Sequence, residues 1–147
     1  MKPLVLGIGN LLLADEGVGC HVAKMIRPWG DANGVTVIDA GTAITEVLDE
    51  IGASSFVVVI DAMKGGGTPG TIYRVPLEEC EKKDYLAGMH GFNILHVMAL
   101  LGGERIPKAI VIGIEPEKIE WSLELSGAVQ NALPDVAEAV KKEIQSP

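Results

Sequence analysis

Apolar and polar positions follow two different periods along this chain, and the switches between them mark out its elements. Leu4-Val5-Leu6 is an unbroken apolar run, so a strand is expected over about Pro3 to Ile8. Val18, Val22, Met25 and Trp29 then recur at helical spacing, predicting a helix over about Glu16 to Arg27 with one buried stripe. Pro28 and Gly30 are expected to end it. Gly34 to Asp39 reads as a second strand, followed by Gly41-Thr42. Thr42 or Thr45 is placed to cap a helix carrying Ile44, Val47, Leu48 and Ile51, with Gly52 as its stop. Ser55 to Ile60 is a continuous, mostly β-branched run, which implies burial on both faces and a central parallel strand. It runs straight into Asp61.

Lys64 to Gly70 is rich in turn formers, and the alternation in Thr71 to Val75 suits an edge or hairpin strand. Glu78 to Lys83 is polar and reads as irregular or a short helix. Phe92 to Leu101 reads as a largely buried helix ended by Gly102-Gly103. Lys108 to Ile114 is the last central strand and stops at Glu115-Pro116. From Ser126 the chain is helical again. Pro134 is expected in the first turn of the final helix, whose buried stripe is Val136, Val140 and Ile144. This order of elements predicts a three-layer α/β/α sandwich around a mixed, mostly parallel sheet of about five strands. No linker, repeat or low-complexity stretch interrupts it, so residues 1–147 are expected to form one domain.

Composition narrows the chemistry. Aromatic residues are only 4% of the chain, so the core must be built from Val, Ile, Leu and Ala, as in strands covered by helices on both faces. The formal net charge is −8 and there is no Lys/Arg cluster, which argues against nucleic acid and anionic membranes as partners. A basic protein or a metal cation fits that charge better. Two cysteines, Cys20 and Cys80, form no CxxC and are too few for a disulfide framework; reduced thiols in a cytoplasmic protein are expected. No apolar run approaches the roughly 18 residues of a membrane helix. The apolar N-terminal stretch is broken by Gly7, Gly9 and Asn10 and lacks a small-residue cleavage site, so the chain is read as unprocessed.

The candidate chemistry sits at strand ends. In an open α/β sheet the carboxyl ends of parallel strands line one crevice, which brings Glu16 and Asp61 to a common rim. His90, between a loop and the helix from Phe92, is able to reach it. Two carboxylates and one imidazole with open positions suit a borderline divalent metal whose other ligands come from elsewhere. They do not make the closed Cys/His set of a structural zinc. Asp15 competes with Glu16, since only one of two neighbours is expected to point inward, and acids after strands also serve as helix caps. His21 reads as a partly exposed helical histidine and His96 as a packing residue. Cys20 reads as a small buried filler, and Asp39 as a brace of the rim. There is no GxSxG elbow and no HExxH. Gly7-Ile8-Gly9 invites a dinucleotide reading, but Leu12 stands where that fingerprint has its third glycine.

Four segments in order carry a resemblance: Gly7-Ile8-Gly9-Asn10 with Asp15-Glu16-Gly17 and Gly19; Asp39-Ala40-Gly41-Thr42; Val58 to Ala62; and Ile112 to Glu117 followed by Leu123 to Ser126. Together they resemble the [NiFe]-hydrogenase maturation endopeptidases. The resemblance implies removal of a short C-terminal extension from a hydrogenase large-subunit precursor after nickel insertion. It also implies metal contact, and catalysis, through Glu16, Asp61 and His90. Relatives often carry Gln directly after the histidine, where this chain has Gly91-Phe92. Nickel is expected to arrive with the substrate, other divalent metals being able to occupy the site, and the protein is expected to work as a monomer. Two other readings remain: a non-catalytic checkpoint protein that docks on the nickel-loaded subunit, and a nucleotide-binding α/β protein.

Overall fold

A computed structural model describes residues 1–83, 94, 97–102 and 106–146, the side chains of 81–83 excepted. Five strands, β1 (Leu4–Ile8), β2 (Thr36–Gly41), β3 (Phe56–Ala62), β4 (Ile72–Pro76) and β5 (Lys108–Ile114), form one sheet. Its order is β2-β1-β3-β5-β4. The first three strands and β5 run parallel, and β4 closes one edge antiparallel to β5. The helices are α1 (Val18–Ala32), α2 (Leu48–Gly52), α3 (Leu77–Lys83) and α4 (Gly127–Gln145). The 3₁₀ turns Ala14–Gly17 and Ile44–Val47 lead into α1 and α2. This is the expected mostly parallel α/β architecture.

The side-chain period of a strand divides the core into two halves. Val5, Val58, Ile60, Ile110 and Ile112 face Val18, Val22 and Ile26 of α1 and Val129, Val136 and Val140 of α4. Their strand neighbours Leu4, Leu6, Val57, Val59 and Val111 face the other way, onto Ile44, Ile51, Leu77, Ile94 and Val97. A sheet apolar on both faces must be covered on both, and all seven residues of β3 are buried. Among the described residues no helix is long and apolar enough to cross a membrane.

Several local expectations are corrected. Pro28 does not end α1, which continues to Ala32, and Pro134 lies well inside α4 rather than in its first turn. Both prolines are exposed. On the solvent side the carbonyl that a proline displaces can tilt out to water, so the helix need not break there. Gly30 is a packing position: a Cβ there would sit 2.5 Å from Val37 Cγ2. The buried ridge of α1 is Val18-Val22-Ile26, at steps of four, and Met25 faces solvent. Neither threonine caps the second helical segment; Ala43 and Val47 occupy the cap positions without side-chain bonds. Of the expected helix Phe92 to Leu101, residues 94 and 97–99 are helical, and much of the rest, with His90 and His96, lies outside the described residues.

The first helix lies very close to the sheet because glycine lets it. A Cβ on Gly19 would fall 2.2 Å from the Ile60 carbonyl oxygen and 2.4 Å from that of Ile8. These are backbone atoms that cannot swing aside. Gly19→Ala is therefore expected to cost about 2–3 kcal/mol, or roughly 5–10 °C in Tm, read by thermal unfolding.

Candidate active site

The chain leaves β1 to form β2 on one side and returns to form β3 on the other. The strand order thus reverses between β1 and β3, and in open α/β sheets that switch point is where a crevice opens beyond the carboxyl ends. Glu16 follows β1, and Asp61 is the penultimate residue of β3. Both are buried, at 5% and 0% exposure. Gly9 threads between them: a Cβ built on it would lie 2.0 Å from the Glu16 carbonyl oxygen and 3.5 Å from Asp61 Oδ1. Its φ of +135° is a conformation that side-chain-bearing residues rarely adopt, so glycine is required here on two counts. The Gly9 amide donates to the Gly41 carbonyl at 3.0 Å, which ties the turn to the end of β2. Asp61 Oδ1 accepts from the Ala62 amide at 2.8 Å.

The expectation that only one of Asp15 and Glu16 points inward is corrected, because both are buried. Asp15 Oδ2 accepts from the amides of Glu117 and Lys118 at 2.8 and 2.9 Å, and Oδ1 from the Ser126 amide at 2.8 Å. Its own amide donates to the Lys118 carbonyl. Asp15 is thus the clasp that binds the segment after β5 to the turn carrying Glu16. Ser126, held by that clasp, caps α4 by accepting from the Val129 amide.

A second clasp escaped sequence reasoning. Glu115, buried just past β5, accepts on Oε1 from the Gly65 and Gly67 amides and from the Tyr73 hydroxyl, at 2.9, 3.1 and 2.6 Å. It fixes the glycine-rich loop that follows Asp61 against the edge strand. Desolvation and the adjacent Glu115 push the Tyr73 phenol up from its ordinary value. The signal available in sequence was an acid at a strand end facing a loop with surplus backbone donors.

Cys20 and Asp39 complete the surroundings. The Cys20 thiol lies 3.7 Å from the Gly9 carbonyl oxygen. Burial, then a hydrogen bond to Asp39 and the charges of Asp39 and Asp61, push it up to about 12, which rules it out as a thiolate nucleophile at neutral pH. Asp39 is half-buried beside this thiol. His21 Nε2 is buried and has no hydrogen-bond partner among the described residues; burial and Lys24 lower the pKa of this ring. The raised thiol fixes a sign. Below pH 9.0, the ordinary value, thiols are protonated in folded and unfolded chains alike; as pH rises towards about 12 only the unfolded state ionises. Stability should therefore fall with rising pH above 9. Cys20→Ala should flatten that alkaline limb in a pH series of thermal unfolding, leaving the parts due to Cys80, which is raised to about 11, and to the raised Tyr73 phenol.

Carboxylates such as those of Glu16 and Asp61 are hard oxygen donors of the kind that suit a divalent cation. Among the described residues no three His, Cys, Asp or Glu side chains group to hold a metal ion. The expected third member, His90, lies outside those residues.

Comparison with known proteins agrees with this architecture. A sequence model described as hydrogenase maturation protease matches residues 20–143. Over 122 residues the chain is 33% identical to the hydrogenase expression/formation protein HupD of Thiocapsa roseopersicina, covering 80% of this chain and 55% of that one. It is 30% identical to HoxM of Azotobacter vinelandii, with 80% and 59% covered. The chain thus spans little more than half the length of these two curated relatives. The solved structure of the hydrogenase maturating endopeptidase HybD from E. coli superposes with a TM-score of 0.85 at 26% identity, covering 99% of this chain and 93% of that one. With most of its length matched and its fold shared, the chain belongs to the hydrogenase maturation protease family.

Proposed function

We propose that this protein is an endopeptidase that removes the C-terminal extension of a [NiFe]-hydrogenase large-subunit precursor once nickel has been inserted. One observation supports the reading: in a chain of this family, two buried acids sit beside Gly9 at the switch point of the sheet, Glu16 through its backbone carbonyl and Asp61 through Oδ1. The net charge of −8 suits a site that meets a cation brought by its partner. The substrate's nickel, held by the precursor's own cysteines, has open positions; Glu16, Asp61 and His90 complete its shell and seat the scissile bond beside it. Hydrolysis adds water across the peptide C–N bond, giving a new carboxylate on the mature subunit and an amine on the released peptide. The cation polarises the scissile carbonyl or activates that water. The free protease need hold no resident metal, and it acts as a cytoplasmic monomer.

Such an arrangement is a gate. Affinity depends on a cation that only a correctly loaded substrate carries, so cleavage waits for loading. Incubating the protein with nickel-loaded and nickel-free precursor tests it. Cleavage of the loaded form alone supports the reading, and equal cleavage of both refutes the gate.

A further inference from the structure

The turn after β1 and the segment after β5 are zipped together, and the zipped pair carries the most exposed large apolar side chains on this rim. Ser122 donates to the Leu12 carbonyl at 2.9 Å and accepts from the Ala14 amide at 2.9 Å. Leu13 and Ser122 thereby form a parallel bridge. That register sets Leu12 level with Trp121, and Trp121 and Leu123 bracket the bridge residue. Leu12 is 51% exposed, Leu123 61% and Trp121 80%, with Ile119 at 40% close by. A tryptophan left so far in water on a segment pinned by three backbone hydrogen bonds to its neighbour is not a folding requirement. Exposed apolar clusters with acidic rims mark interaction sites, and tryptophan is the residue most enriched among binding hot spots.

Resting on the proposed processing of a precursor, we infer that Leu12, Trp121 and Leu123 dock an apolar segment of that precursor flanked by basic residues. Three features select this occupant. The patch is continuous with the candidate site, since Leu12 lies four residues before Glu16 and the Asp15 clasp binds both halves of the patch to Glu16's turn. Its margin is acidic: Glu117, Glu120 and Glu124 are exposed around it, against Lys118 alone. A protein that must grip a folded macromolecule beside one peptide bond needs area outside that bond, and it must lie on the same rim. The apolar depression lined by Leu77, Met98, Ile106 and Ala109 fails this criterion, because it opens at the amino end of β5, the far end of the strands.

The chain has two tryptophans, Trp29 and Trp121, so 5-fluorotryptophan incorporation gives two ¹⁹F resonances in the protease and none in unlabelled precursor. Adding nickel-loaded precursor is expected to shift or broaden the Trp121 signal and leave Trp29 in place. Trp121→Ala with Leu12→Ser is expected to raise KM for precursor about tenfold, more than it lowers kcat, with an unchanged far-UV spectrum. A Trp121 resonance indifferent to precursor, with KM unchanged, overturns the docking surface while leaving processing intact. If instead precursor binds and perturbs Trp121 but is never cut, the surface stands and the proposed activity falls.

Discussion

Asp15→Ala is expected to destabilise the protein by about 3–5 kcal/mol, lowering Tm by roughly 10–15 °C, although Asp15 is given no part in the chemistry. The replaced carboxylate accepts three backbone N–H bonds in a site with no measurable exposure. Bonds to a charged acceptor contribute about 1.5–3 kcal/mol each, less when several share one group, and their loss strands the amides of Glu117, Lys118 and Ser126. Release of Ser126 also loosens the cap of α4, itself a contribution of about 1 kcal/mol. Asp15→Asn should recover at most half of the loss, because its amide nitrogen would face one set of donors. Calorimetry on the three proteins checks the order: wild type, then Asn, then Ala.

The neighbouring position is expected to behave in the opposite way. Glu16→Gln and Asp61→Asn keep side-chain shape while removing a negative oxygen donor. Each should cut processing of nickel-loaded precursor at least about 100-fold, since even residues that merely orient metal ligands are worth 10–100-fold. Tm should stay within about 3 °C of wild type. Asp61→Ala with binding and cleavage assayed separately distinguishes a protease from a checkpoint protein: retained docking with lost cutting marks the enzyme. The contrast between adjacent acids is the sharper result. One substitution empties the folded population on heating and the next leaves it intact but inactive.

Much of the fold was legible because its central strands are written in a single alphabet. The apolar runs Leu4-Val5-Leu6, Phe56 to Ile60 and Ala109 to Ile112 admit few states besides doubly covered parallel strands, and the sheet has them at its centre. The prolines misled because a helix boundary was read from residue type, whereas the outcome depends on which face the ring occupies. Exposed Pro28 and Pro134 are tolerated where buried ones would strand a carbonyl. The positions of Glu16 just after β1 and of Asp61 at the end of β3 followed from the strand pattern alone. The task of Asp15 did not, because its partners are backbone amides more than 100 positions away, 102 to Glu117 and 111 to Ser126. Glu115 was hidden for the same reason, its loop donors lying 48 and 50 positions back. Such clasps satisfy main-chain groups that no side-chain pattern announces.

The central claim is that this protein's carboxylates reach a cation belonging to its substrate. Nickel K-edge absorption on freeze-quenched mixtures of nickel-loaded precursor with the protease reads that contact at the metal itself. Wild-type protein is predicted to add oxygen or nitrogen scatterers to the sulfur-rich nickel shell, and the Glu16→Gln, Asp61→Asn double variant to add none. An identical nickel shell with and without wild-type protein, under conditions where the precursor is being cut, would contradict the account.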